Sequence, residues 1–314
     1  MDIKKMYDAS REMQNSNNVS TNIELFLLRK AEKSEVNIFS LGADSDLQAD
    51  LLNIFTNYFQ RSEKRDYVQS EYDVVTSGKF DKEYYKTKTS EYAGVKKFVE
   101  LFNSIDLDDI KGLKEDSFFA YAVRVRIDEQ QFIFIAPFSK VSKISATKVI
   151  GNLKNNKLTK IKNDATVGFS SSISMLILDD EVLILNNLRI FEKCCGMKAE
   201  FVKGAQSLLQ NIAQFDSIED LGELQKVIES DSVVAKRLTK LNQSFERVQS
   251  FFNNKDKVEN LLNDDAFKDK FKDIKYNNGK LQFEKRNRHA FITLISDACY
   301  ETIVGKTKGI DNGF

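Results

Sequence analysis

Between Ile173 and Leu185 the chain reads ISMLILDDEVLIL, two nearly unbroken apolar runs split by three acids. A strand with one wet face alternates apolar and polar residues; these runs do not, so burial on both faces is expected. The acids supply a turn, and the segment is predicted to fold as a hairpin, Ser172 to Leu178 and Val182 to Leu185, around Asp179, Asp180 and Glu181. This is the most apolar stretch of the chain. Interrupted as it is, it cannot cross a bilayer, which needs about 18 or more apolar residues in a row.

Further strands are legible. Thr21 to Lys30 puts Ile23, Leu25 and Leu27 on one face by period two, and Val36 to Leu41 reads as a second strand. Phe118 to Ile127 alternates and is rich in aromatic and β-branched residues. Gln131 to Phe138 is its return strand, expected to stop near Pro137, the only proline. Helical spacing marks Asp44 to Arg61, through Leu47, Leu51, Ile54, Phe55 and Tyr58, and Thr89 to Ile105, through Val95, Phe98, Val99 and Phe102. A short polar helix is expected over 2–15. Helices return from Asn187 to Gln214 and dominate from Ser217 onward. A turn at Asn277-Asn278-Gly279 and a short strand from Lys280 to Glu284 interrupt them. The last helix is predicted over Asn287 to Val304, with Lys306 to Phe314 as a fraying polar tail. The fold class expected is α+β: a central, mainly antiparallel sheet with flanking helices and a helical C-terminal half. A boundary is placed near 216. Residues 1–215 form a mixed α/β domain, and 216–314 a mainly helical region with a short hairpin near 275–284.

Composition narrows the chemistry. Three cysteines, two of them the adjacent Cys194 and Cys195, give neither a disulfide framework nor a CxxC, which points to a reducing compartment. No signal peptide is visible at the N-terminus, so a cytoplasmic protein is expected, reaching a membrane only through a partner. His289 is the only histidine, which removes histidine-rich metal sites and leaves no other histidine to serve as a hydrolase base. Gly305-Lys306-Thr307 lacks the earlier glycine of a P-loop, Tyr300 standing in its place, and follows a helix rather than opening one. Consecutive acids at a hairpin tip point in different directions, so Asp179 to Glu181 read as a turn rather than a metal cage. Asp106, Asp108, Asp109, Glu115 and Asp116 read as a solvated loop. No catalytic residue, metal site or cofactor is assigned.

The strongest anomaly is Gln130 to Asn163. It holds Lys140, Lys143, Lys148, Lys154, Lys157, Lys160 and Lys162 and no Asp or Glu, in a chain whose formal net charge is zero. Such lysines are either a polyanion contact, reaching phosphates without reading bases, or a solubilising loop and edge guard. A second basic cluster, Lys285, Arg286, Arg288 and His289, precedes the last helix. Arg286 and Arg288 join the candidate nucleic-acid contacts; the alternative is pairing with Glu284 or other acids. From Asp231 to Asn253 one helix is predicted. Val234, Leu238, Leu241, Phe245, Val248 and Phe252 form an a/d seam, either a dimer or partner surface or the inner stripe of a bundle.

The stretch NDATVGFSSSISMLILDDEVLILNNLRIFEKCCGM, Asn163 to Met197, is a buried strand, an acidic turn, a second buried strand, then Asn186-Asn187 leading to Phe191-Glu192. It resembles the central signature of the KwaB-like family of the two-gene Kiwa anti-phage defence system. That resemblance implies a cytoplasmic component working with KwaA, an integral membrane protein that senses infection. It also implies binding of phage DNA, suppression of phage DNA replication and late transcription, and homodimers or larger assemblies at the membrane. The expected function is a non-enzymatic DNA-binding effector. A metal-dependent nuclease with a degenerate site and an interaction scaffold for the membrane partner are the alternatives.

Overall fold

The computed structural model describes residues 7–8, 10–11, 21–31, 36–63, 67–76, 83–104, 118–127, 130–140, 151–154, 157–160 and 167–311. The chain forms two compact units. One comprises Met1–Tyr72 and Ser77–Gly196, the other Asp73–Thr76 and Met197–Phe314. The division therefore falls at Gly196, ahead of the boundary expected near 216. The change from strands to helices misplaces it, because a long helix after Gly196 belongs to the helical unit.

The first unit contains β1 (Thr21–Lys30), β2 (Val36–Leu41), α1 (Ser45–Glu63), β3 (Val68–Glu71), β4 (Glu83–Lys88) and α2 (Ala93–Asn103). It continues with β5 (Phe118–Ile127), β6 (Gln130–Lys140), β7 (Gly151–Lys154), β8 (Lys157–Lys160), β9 (Val167–Phe169), β10 (Met175–Leu178), β11 (Glu181–Ile184) and α3 (Leu188–Cys194). Eight strands make one sheet in the order β2-β1-β5-β6-β10-β11-β4-β3, and β9 pairs with the far end of β6. Its pairings are antiparallel except β3 with β4.

The doubly apolar hairpin accounts for this arrangement. Met175 to Leu178 pair with Ile135 to Phe132 on one side and with Ile184 to Glu181 on the other, and all four are buried. Period two sends alternate residues to opposite faces, so both faces need cover. One face is covered by α1: Leu51, Phe55 and Phe59 pack with Leu25, Leu27, Tyr121, Val123, Leu176 and Leu183, and Phe55 stacks on Phe134 with ring centroids 5.3 Å apart. Helix α1 starts where Asp44 Oδ1 accepts from Leu47 N at 2.9 Å, satisfying one of the helix's orphan donors. On the other face the Phe102 ring of α2 meets Phe26 of β1 edge-on at 5.5 Å. A Cβ at Gly94, in the first turn of α2, would fall under 3.0 Å from the backbone oxygen of Cys195. Gly196, at φ 58°, then ends α3 in the left-handed region that glycine enters without penalty.

Pro137 does not end its strand. β6 runs through it, pairing Pro137 with Ala120 of β5. On the other side β6 changes partner, from β10 as far as Ile135 to β9 from Phe138, and Pro137 lies in that gap. A missing backbone donor breaks no ladder bond on that side.

The second unit holds α4 (Lys198–Ala213), β12 (Ile218–Glu219), α5 (Leu221–Ser230), α6 (Ser232–Gln243), α7 (Phe245–Asn253), α8 (Lys255–Asn263) and α9 (Lys268–Phe271). It closes with β13 (Lys275–Asn277), β14 (Lys280–Gln282), α10 (Arg288–Ile295), β15 (Cys299–Glu301) and β16 (Lys308–Ile310). Helices α4 and α6 pack with little room: a Cβ at Gly204 would fall under 3.0 Å from the Thr239 side chain, and Thr239 Oγ1 donates to Phe201 O at 2.7 Å. Asn278 and Gly279, both at positive φ, make the tight turn expected between β13 and β14. The single helix expected from Asp231 to Asn253 is two, broken at Ser244. The last helix stops at Ile295 rather than Val304, because Asp297 takes φ 51°. The expected fraying tail is instead the second strand of a hairpin, with Cys299 opposite Ile310 and Tyr300 opposite Gly309. Its tip is held by Thr302 N to Thr307 O at 2.8 Å and Thr307 N to Thr302 Oγ1 at 2.9 Å.

Candidate nucleic-acid interface

The lysine-rich stretch leaves the sheet at the end of β6 and rejoins it at β9. Lys140 and Val167 are direct cross-strand partners, so the two ends of the excursion are clasped together. Within it, β7 and β8 form a separate two-stranded antiparallel ladder with Gly151 opposite Lys160, Asn152 opposite Thr159, Leu153 opposite Leu158 and Lys154 opposite Lys157. Lys143, Lys148 and Lys162 lie outside the described residues, as do Asp106, Asp108, Asp109, Glu115, Asp116 and most of the expected helix over 2–15. Four candidates thus have a backbone place: Lys140 at the clasp, and Lys154, Lys157 and Lys160 on the small hairpin.

The other candidates sit in the helical unit. Arg286 Nε donates to Glu284 Oε2 at 2.6 Å, and Arg288 Nε to Asp231 Oδ2 at 3.1 Å. Both guanidinium groups have carboxylate partners, the alternative that surface ion pairing offers for this cluster. Of the seam residues, Val234, Leu238 and Leu241 on α6 and Val248 and Phe252 on α7 are buried, and Phe245 is half-buried. Phe252 stacks on Phe215 at 5.5 Å within the same unit. The stripe is thus packed into its own bundle.

Asp179 takes φ 53° in the β10–β11 turn, Asp180 O accepts from Thr89 N at 2.7 Å, and Glu181 Oε1 lies 3.7 Å from Lys86 Nζ. The three acids serve a turn, a backbone bond and an ion pair, in that order. Among the described residues no group of three or more His, Cys, Asp or Glu stands close enough to hold a metal ion. Burial raises the thiols of Cys194 and Cys195 well above the ordinary range, so neither carries thiolate at neutral pH.

Two side chains that bear on the electrostatics escape sequence reasoning. Arg124 is buried in β5. It donates from Nη1 to Glu24 Oε2 at 2.9 Å and from Nη2 to Phe102 O, the carbonyl end of α2, and lies 4.9 Å from the Phe26 ring centroid. It ties sheet to helix. Arg237 is half-buried in α6, with one long bond, Nη2 to Thr293 Oγ1 at 3.4 Å. Thr293 is 56 residues away, so no local pattern marks the pair.

Fold and site together define a two-unit α+β protein: a mostly antiparallel sheet covered on both faces, with a lysine-bearing excursion clasped between β6 and β9. Among the described residues no helix is long and apolar enough to cross a membrane. Residues 115–305, more than half the chain, match a family model described as Kiwa protein KwaB-like, and the chain belongs to that family. No match was found among curated proteins or among solved structures. Membership implies a role in Kiwa anti-phage defence and suggests a partnership with KwaA. The signature Asn163 to Met197 corresponds to β9, the doubly buried β10–β11 hairpin and α3, so the residues that carry the likeness are fold-forming ones.

Proposed function

We propose that this chain is a DNA-binding effector of Kiwa defence that blocks phage DNA replication and transcription by occupying the duplex, acting with a KwaA-type membrane partner. The observation that carries the reading is the excursion between Lys140 and Val167. Six of the seven acid-free lysines fall inside it, two of them as direct cross-strand partners. The family match spans the whole of it. Ammonium groups on a small hairpin reach phosphate oxygens without reading base edges, so binding has little sequence preference and weakens steeply with salt.

Replacing Lys154, Lys157, Lys160 and Lys162 together with Glu tests the assignment by gel shift on duplex DNA. Loss of the shifted band in a variant of unchanged circular dichroism is expected; unchanged affinity overturns it. Incubation with phage DNA and Mg²⁺ or Mn²⁺ addresses the nuclease alternative, since cleavage products defeat an occupancy mechanism.

A further inference from the structure

Arg29 and Lys30 close β1, and Phe118 and Phe119 open β5. Arg29 is the cross-strand partner of Phe118, while Leu28 pairs with Ala120, so Phe119 is left without a partner in β1. An unpaired residue of this kind re-aims its side chain. On its other side β5 pairs Ala120 with Pro137 of β6, so Phe118 stands level with the stretch of β6 that ends at the Lys140 clasp. Three neighbouring strands therefore bring Arg29, Phe118 and the root of the lysine excursion to one end of the sheet. There β1 and β6 are two strand spacings apart, about 10 Å.

Two cations at this end rest on aromatic rings. Lys193 Nζ, on α3, lies 3.6 Å from the ring centroid of the unpaired Phe119, and the Arg29 guanidinium carbon lies 5.2 Å from that of Phe39 in β2. Phe39 in turn meets Phe118 edge-on at 5.9 Å. A ring holds a cation in place without cancelling its charge. A carboxylate cancels it, as Glu284 does for Arg286 and Asp231 for Arg288. Among the described residues neither Arg29 nor Lys193 stands in an ion pair. Lys193 is exposed and Arg29 half-buried; Lys30 and Arg189, both exposed, flank them, Arg189 one turn before Lys193 on α3.

We propose that this end of the sheet, with Arg29 and Lys193 as its fixed cations, is a second contact for the phosphate backbone of duplex DNA, adjoining the root of the lysine excursion. The inference rests on the reading of the chain as a DNA-binding protein and adds to it where the duplex lies. Charge identifies the occupant. Duplex DNA carries about one negative charge per 1.7 Å of its axis, so a duplex seated at the root of the excursion still presents phosphates about 10 Å further along. Cations already held on rings lose less side-chain freedom on contact than free lysines do. They touch backbone rather than base edges, so they add affinity without sequence preference.

Duplex affinity of the full chain across a salt series tests this with Arg29→Gln and Lys193→Gln combined. Two lost phosphate contacts, at about 0.9 each, flatten the slope of log affinity against log salt by about 1.8. If the two lines meet near about 1 M salt, affinity at about 0.15 M falls roughly 30-fold. Arg29→Lys with Lys193→Arg keeps both charges and is expected to keep the wild-type slope. Should the double Gln variant not fold, Lys193→Gln alone carries the test, with about half the change in slope. A folded Gln variant with the wild-type slope overturns the proposal; if the four-lysine Glu variant still loses its slope, the excursion reading stands without it. Loss in the Gln variant with the four-lysine variant unaffected supports the sheet end and overturns the excursion alone. Equal loss in the Gln and charge-keeping variants marks a structural effect and overturns the proposal, and a wild-type chain that binds no duplex overturns both readings.

Discussion

Gly94 and Gly222 occupy the same place in their helices, the second residue of α2 and of α5, yet they should respond oppositely to alanine. Replacing a helical glycine with alanine favours the helix by about 0.5–1 kcal/mol, through lower entropy in the unfolded chain. Around Gly222 nothing lies within 4 Å of an added Cβ, so the full gain is expected there. At Gly94 the Cβ would fall under 3.0 Å from the Cys195 carbonyl oxygen. That oxygen cannot swing aside. Cys195 is buried, its N–H is bonded to Phe191 O at 2.9 Å as the cap of α3, and the left-handed Gly196 follows it. Overpacking against fixed backbone costs about 1–3 kcal/mol, and relief here requires moving a helix, which puts the cost at the upper end. Gly94→Ala should therefore destabilise by about 2 kcal/mol and Gly222→Ala stabilise by about 0.5 kcal/mol, read as urea midpoints at constant slope by far-ultraviolet circular dichroism. If Gly94→Ala is neutral or stabilising, α2 and the end of α3 do not meet as described, and the structural account of the Cys194-Cys195-Gly196 segment fails with it.

Three further outcomes are expected. Arg124→Met should cost about 2–4 kcal/mol in unfolding experiments, because it leaves Glu24 and the Phe102 carbonyl without a buried donor. Arg126→Met, with a side chain 42% exposed, should cost less than about 1 kcal/mol. For Asp231, burial raises the carboxyl pKa, but the Val234 and Val233 N–H groups and the Arg288 guanidinium outweigh it and hold the group below its ordinary value. A depressed folded pKa means stability that is present above about pH 4 and lost as pH falls through the folded value, so Asp231→Asn should be less stable than wild type at pH 7 and converge with it near about pH 2. Burial pushes the Cys299 thiol up to about 11, and Cys194 and Cys195 are fully enclosed. Iodoacetamide at pH 8 should alkylate Cys299 slowly and the other two only after unfolding, which mass spectrometry of digested protein reports.

Much of the sheet was legible, because its strands carry either period-two alternation or the apolar runs of Met175 to Ile184. Pro137 misled for a local reason: a proline ends a strand only where its missing donor breaks a ladder, and β6 changes neighbours there. The break at Ser244 left no mark in the sequence. The 4-3-4-3-4 spacing from Val234 to Phe252 runs through it, with neither Gly nor Pro at the break. The β15–β16 hairpin was hidden because Asp297 takes a left-handed conformation without being glycine, and because the strands are short and none of their residues is buried. The candidate site divides in the same way. A run of lysines without acids can be counted along the chain, whereas Arg237 beside Thr293 and Arg124 against Phe102 exist only once distant segments meet.

Duplex affinity across a salt series, for wild type and the four-lysine Glu variant, tests the central claim most directly. Each phosphate neutralised adds about 0.9 to the slope of log affinity against log salt. The wild type should show a slope steeper than about −3, and the variant should lose most of its affinity and most of that slope. Equal slopes for the two proteins, or wild-type affinity indifferent to salt, would contradict the assignment of phage DNA to the lysine excursion.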